Sequence, residues 1–121
     1  MPFSFKRIIM HLELTPEALL GQLGYSVNEH TLEQINRIIA NTDDFEHISK
    51  HMITFNDVLA VEKGFIAMSN SKDHFKIKCQ EDPSADNLTA FTDMVEHWAE
   101  KHKIALEKVE GKNTYYILGH K

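Results

Sequence analysis

The sequence predicts an α+β domain: N-terminal helices followed by a hairpin–helix–hairpin (ββαββ) unit, with an antiparallel sheet packed against one long amphipathic helix. Three observations lead there. The stretch "DPSADNLTAFTDMVEHWAEKHK" carries Leu88, Phe91, Val95, Trp98 and His102 at steps of three and four, the stripe of a helix with one buried face. On either side of it, "GFIAMSNSKDHFKIKCQ" and "IALEKVEGKNTYYILGHK" each hold two short β-prone runs divided by turn residues. Further upstream, "LTPEALLGQLG" and "YSVNEHTLEQINRIIAN" bring helix start and stop signals in close succession. A length of 121 residues is that of one ordinary domain. The chain therefore reads as a single domain over 1–121, mainly helical over 1–63 and ββαββ over 64–121.

Taken in order, residues 3–14 alternate loosely (Phe3, Phe5, Ile8, Met10, Leu12, Leu14) and read as a strand. Thr15 can cap the next helix, Pro16 suits its first turn and Gly24 can end it. Ser26 and Glu29 are spaced as a capping box for a second helix, whose apolar Leu32, Ile35 and Ile39 fall on one side. A third helix is expected from about Asp43 to Ile53. Residues 54–63 fit either a helix behind Asn56 or a strand through "VLAV". The first hairpin turns at Asn70–Asp73, and on its second strand Phe75, Ile77 and Cys79 oppose His74, Lys76 and Lys78. Ser84 or Asp86 caps the long helix, and the last hairpin turns at Glu110–Asn113.

Composition narrows the function classes. The formal charge is −5, which favours neither nucleic acid nor an anionic membrane as partner. No apolar run approaches the roughly 18 residues of a membrane span. Lys6, Arg7, His11 and Glu13 interrupt the N-terminal apolar positions, so a secretory leader is not expected. The single cysteine, Cys79, points to a reducing compartment, and the cytoplasm is the expected location. The chain also lacks the nucleophile-elbow, phosphate-loop, dinucleotide and C-x-x-C motifs.

One stretch raises a sharper question. In "DDFEHISKHM", Asp43, His47 and His51 recur at steps of four, a spacing that metal sites use. At about 100° per residue, however, Phe45, Ile48, Met52 and Phe55 form one apolar stripe, and the trio lies on the opposite side. From 43 to 51 the helix rises about 12 Å, too far for all three to reach one ion. His47 and His51 can share a metal, with Asp43 capping the helix or pairing with His47. Asp93 and His97 repeat the spacing on the long helix and could complete a divalent-metal site if the two helices face each other. His102 differs: it continues an apolar stripe, as a half-buried histidine does.

Two further patterns are weaker. The helical pair over 15–41 has the outline of a helix-turn-helix, but Glu29, Glu33 and a lone Arg37 are poor material for a recognition helix. The strip Lys72, His74, Lys76, Lys78, with Phe65 or Tyr116 nearby, has the outline of a base-stacking strand. Phe75 lies on the other face and the chain is acidic, so the strip reads first as a solvated sheet face, with a phosphate or carboxylate as a further candidate ligand. Taken together, the residues describe a non-enzymatic binding or regulatory module for a protein partner or small ligand, without a resident cofactor. A small domain with many apolar positions, and sheet edges that must be paired or protected, suggest a homodimer. The alternatives are a metal-binding protein or metal-dependent enzyme built on His47, His51, Asp43, Asp93 and His97, and weak nucleic-acid or anion binding through Lys72–Lys78.

Overall fold

The computed structural model describes residues 15–62, 64–79 and 83–121; the alternating stretch 3–14, read above as a strand, lies outside them. The described residues form an α+β fold with four α-helices and a four-stranded antiparallel sheet. Helix α1 (Pro16–Gln22) begins as expected, with Thr15 Oγ1 accepting the Ala18 N–H at 3.1 Å and Pro16 at the first turn. Its Leu19 and Leu20 are fully buried.

Helix α2 (Glu29–Ala40) starts later than the Ser26–Glu29 pairing predicts. Asn28 is the cap. Its Oδ1 accepts the Thr31 N–H at 2.9 Å, and the Thr31 hydroxyl accepts the Asn28 N–H at 3.0 Å. That hydroxyl also lies 2.7 Å from the Ser26 carbonyl, where it can donate and so hold Ser26 outside the helix. Threonine thus fills the return position usually given to Glu or Gln.

Helix α3 (Phe45–Leu59) runs beyond its expected end at Ile53, then tightens into a 3-10 turn at Ala60–Glu62. Residues 54–63 therefore add no strand. Phe55 and Leu59 prolong the stripe begun by Phe45, Ile48 and Met52, so each extra turn buries another large side chain. Asn56 does not cap a separate helix; its Oδ1 accepts the Ile66 N–H at 2.8 Å. At the other end Asp43 lies outside the helix. Its backbone joins the last strand, with Asp43 N–H donating to Leu118 O at 3.2 Å and His120 N–H donating to Asp43 O at 2.9 Å.

The strands are β1 (Phe65–Met68), β2 (Phe75–Lys78), β3 (Ile104–Lys108) and β4 (Thr114–His120), in spatial order β1-β2-β4-β3. Helix α4 (Ala85–His102), capped by Ser84, connects the two hairpins. More than one helix packs on the sheet: α3 meets β1 and β4, α4 meets β3, and α2 touches β1. The reason lies in their stripes, since α3 carries as long an apolar face as α4. Phe55 and Trp98 stack between the helices at 4.4 Å with ring planes 4° apart, and Phe45 stacks on Phe75 of β2 at 5.7 Å.

Period-two alternation divides the sheet. Phe75 and Ile77 of β2 and Tyr115 and Ile117 of β4 are buried beneath the helices, whereas Lys76, Lys78 and Tyr116 are only partly covered on the other face. A bulge interrupts β4, with Leu106 opposite Ile117 and Ala105 opposite Gly119. Gly119 has φ of +142°, and a Cβ there would meet Asp43 backbone at 2.5 Å. Only glycine lets the residues before α3 approach the sheet this closely.

Two glycine substitutions should have opposite signs in urea denaturation. Gly119→Ala should destabilise the protein by about 2–4 kcal/mol through strain and displacement of Asp43. Gly21→Ala, in a helical position with open space around it, should stabilise by up to about 1 kcal/mol. Equal and small effects at both positions would contradict the close approach at Gly119.

Candidate functional site

His47 and His51 do lie on one side of α3, but the partners they meet are not those expected. His47 is exposed and its ring lies 4.3 Å from that of His120 on β4. His51 is half-buried and stacks on His102 at the end of α4, with centroids 3.8 Å apart and planes 19° apart. The edge of His102 in turn meets Trp98 at 6.2 Å. The structure thus brings His47, His51, His102 and His120 into a seam where α3, α4 and β4 meet.

The acidic members are placed differently. Asp43 neither caps α3 nor pairs with His47; its neighbour Asp44 lies 3.8 Å from His120 Nδ1. Asp93 and His97 are exposed on α4, and no ring contact joins His97 to His47 or His51 among the described residues. Among the described residues no group of three or more His, Cys, Asp or Glu side chains is arranged to hold a metal ion. The stacked pair shows why in part. Imidazole lone pairs lie in the ring plane, so two nearly parallel rings direct them side by side rather than toward one point. His120 was invisible as a partner because it stands 73 positions beyond His47 and only the β4 bulge returns it.

The seam has an electrostatic consequence. Partial burial lowers the pKa of His51, with His47, Lys101 and Lys50 adding like-charge repulsion. His102 is lowered by partial burial too, then by His51, Lys101 and His97. Both rings favour the neutral state at neutral pH.

A second arrangement lies on the outer face of the sheet. Alternation along β2 turns Lys76 and Lys78 outward, and the register sets Tyr116 opposite Lys76 and Thr114 opposite Lys78. The turn between β3 and β4 adds Lys112, and the turn between β1 and β2 adds Ser69 and Ser71. These groups surround a concavity of about 250 Å³, and none of the described residues lining it is acidic. Three lysines therefore line one small concavity in a chain of net charge −5. Among the described residues none of the three has a carboxylate within ion-pair distance.

Tyr116 forms the floor. Its hydroxyl is 3.3 Å from that of Ser71, and Lys72 Nζ lies 5.6 Å from the ring centroid. Hydrogen bonding with Ser71 and Ser69, outweighing partial burial and aided by Lys72 and Lys76, holds the phenol below its ordinary pKa. The ring of His74 lies 5.5 Å from that of Tyr116, and its buried Nδ1 has no hydrogen-bond partner among the described residues. The Lys72–Lys78 strip was legible in the sequence; Lys112 and the serines were not, because they arrive from two separate turns, and Thr114 comes from a strand that nothing local identifies as a neighbour of β2. Arg37, the lone cation of α2, is instead held by Glu33 at 2.8 Å and faces Asp73 at 3.5 Å.

The histidine seam predicts a direction for acid sensitivity. Unfolded histidines titrate near pH 6.5, above the folded values of His51 and His102. Stability is therefore full above about pH 6.5 and is lost as pH falls through the folded values, because the unfolded chain binds protons first. Thermal melts from about pH 8 to about pH 5 should show this fall, and His51→Phe/His102→Phe should flatten it; an equally steep fall in the double variant would place its origin elsewhere. Among the described residues no helix is long and apolar enough to cross a membrane. Comparison of the chain with known family models, curated proteins and solved structures gives no match.

Proposed function

We propose that this protein is a non-enzymatic binding module whose ligand is a small molecule bearing a phosphate or carboxylate group, held in the concavity on the outer face of the sheet. The observation that carries this reading is that Lys76, Lys78 and Lys112 line one concavity, with no acidic residue among its described lining groups. Three ammonium groups in a small space repel one another, and an anion seated among them removes that repulsion while accepting charge-assisted hydrogen bonds. The hydroxyls of Ser69, Ser71, Thr114 and Tyr116 supply further donors, which suits an anion with several oxygens.

Size and charge favour a small ligand over a polymer. A nucleic acid needs a cationic track many phosphates long, and the basic groups here are gathered around one concavity of an acidic protein. A metal-centred function finds less support, since His51 and His102 are stacked rather than convergent. The cytoplasmic location expected from the single cysteine agrees with a ligand drawn from soluble metabolites.

Isothermal titration with inorganic phosphate and with citrate at low ionic strength tests the proposal. Saturable one-to-one binding is expected for at least one of the two. Lys78→Gln and Lys112→Gln should each weaken it by about two- to fivefold, the value of a solvent-exposed charge contact. The double variant should abolish saturation. Binding unchanged in both lysine variants, or no saturable heat from either anion, would overturn the assignment. Short single-stranded DNA binding more tightly than either anion, with a steep salt dependence, would also overturn it in favour of a nucleic-acid surface.

A further inference from the structure

The two edges of the sheet are treated differently. At β1 the outward backbone is closed by side chains: Asn56 Oδ1 accepts the Ile66 N–H at 2.8 Å, and the Tyr25 hydroxyl accepts the Met68 N–H at 2.9 Å. Just past the strand, Gln34 Nε2 donates to Ser69 O at 3.2 Å. This edge cannot accept another strand without losing those bonds. At β3 no such closure exists among the described residues; the backbone groups of Ile104–Lys108 that face away from β4 receive no side-chain or loop partner. Neither proline nor an outward bulge protects it, and an edge of that kind is a template for another strand.

A groove of about 390 Å³ runs along that edge, between β3 and α4. Ile104, Leu106 and Ala99 line its apolar part, Glu96 and Glu100 stand on the helix, Lys121 stands at the Ile104 end and Lys108 at the far end of the strand. Leu106 is partly exposed there, although it packs against the core. The order of these charges along β3 is what identifies the occupant.

We propose that the outward edge of β3 pairs antiparallel with the same edge of a second copy of this chain, giving a two-fold dimer with a continuous eight-stranded sheet. A two-fold axis perpendicular to the sheet keeps the helices of both copies on one side, and it requires residues of the same face to oppose each other. Centring the pair on Leu106 meets that requirement and sets Lys108 of each copy opposite Ile104 of the other. Glu100 stands one turn before Ile104 at the end of α4, with Lys103 N–H donating to Glu100 O at 3.4 Å. Each Lys108 then approaches Glu100 of the other copy, at an end of the groove where Glu96 and Glu100 outnumber Lys121, so the charges are complementary twice over. Leu106 meets its equivalent on the axis and loses its remaining exposure. The concavity on the outer face stays open, and the inference is independent of any ligand there.

Sedimentation equilibrium of the full chain tests the proposal. A concentration-dependent mass rising to that of two chains is expected. Glu100→Lys and Lys108→Glu should each raise the dissociation constant by about tenfold or more, because each places two like-charge pairs at the interface. Combined in one chain, the two substitutions should restore dimerisation to within about threefold of the original. Circular dichroism melts of the single variants distinguish lost association from lost folding, and Glu100→Lys leaves the contacts of Lys108 with its own chain in place. A monomer at every concentration, or a dimer indifferent to both charge reversals, would overturn the proposal. So would failure of the combined variant to recover while both single variants remain folded.

Discussion

The fold and its most chemically distinctive surface depend on one constraint, the strict alternation of β2. Phe75 and Ile77 are fully buried against the helices, so Lys76 and Lys78 have to face the other way. A slip of one residue would drive two ammonium groups beneath α3 and turn two large apolar side chains outward, at a cost of several kcal/mol. The same register sets Tyr116 against Lys76 and Thr114 against Lys78. Core packing thus fixes where the cations stand, and the anion site requires no scaffold of its own.

Around that strand the two long helices divide the inner face. Helix α3 lies over β1 and β4 and α4 lies beside β3, with the Phe55–Trp98 stack joining them. The seam between them collects His47, His51, His102 and His120, polar residues that neither helix needs for its own core. The nearly parallel stacking and lowered pKa values of His51 and His102 read as two neutral rings filling the half-buried part of that seam. Acid should act on the protein first along this line, since protonation sets like charges face to face across the contact between α3 and α4.

Much of this was legible in the sequence where the signal was local. The stripe of α4, the inward Phe75 and Ile77 and the turns of both hairpins follow from spacing alone. The opposed faces of α3 were likewise visible, with Phe45, Ile48, Met52 and Phe55 buried and His47 exposed. What could not be read depended on encounters between distant segments. His120 reaches His47 only through the bulge at Gly119, and Asn56 is claimed by the Ile66 N–H rather than by a helix of its own. Asn28 displaced Ser26 as a cap because Thr31 can answer it, a variation on the expected Glu or Gln. Lys112, Ser69 and Ser71 join the cationic site from turns whose meeting is a property of the sheet order. One signal was available: the outward parity of Thr114 and Tyr116 on the last strand matched that of Lys76 and Lys78, although nothing local identified the two strands as neighbours.

The most direct measurement is a map of backbone amide chemical-shift changes in the full chain on addition of inorganic phosphate. Saturable changes are expected at Ser69–Ser71, Lys76, Lys78, Lys112, Thr114 and Tyr116 alone, with the inward residues of β2 and the histidine seam undisturbed. Changes centred on His47, His51 and His102, or spread without saturation over every exposed lysine, would contradict it.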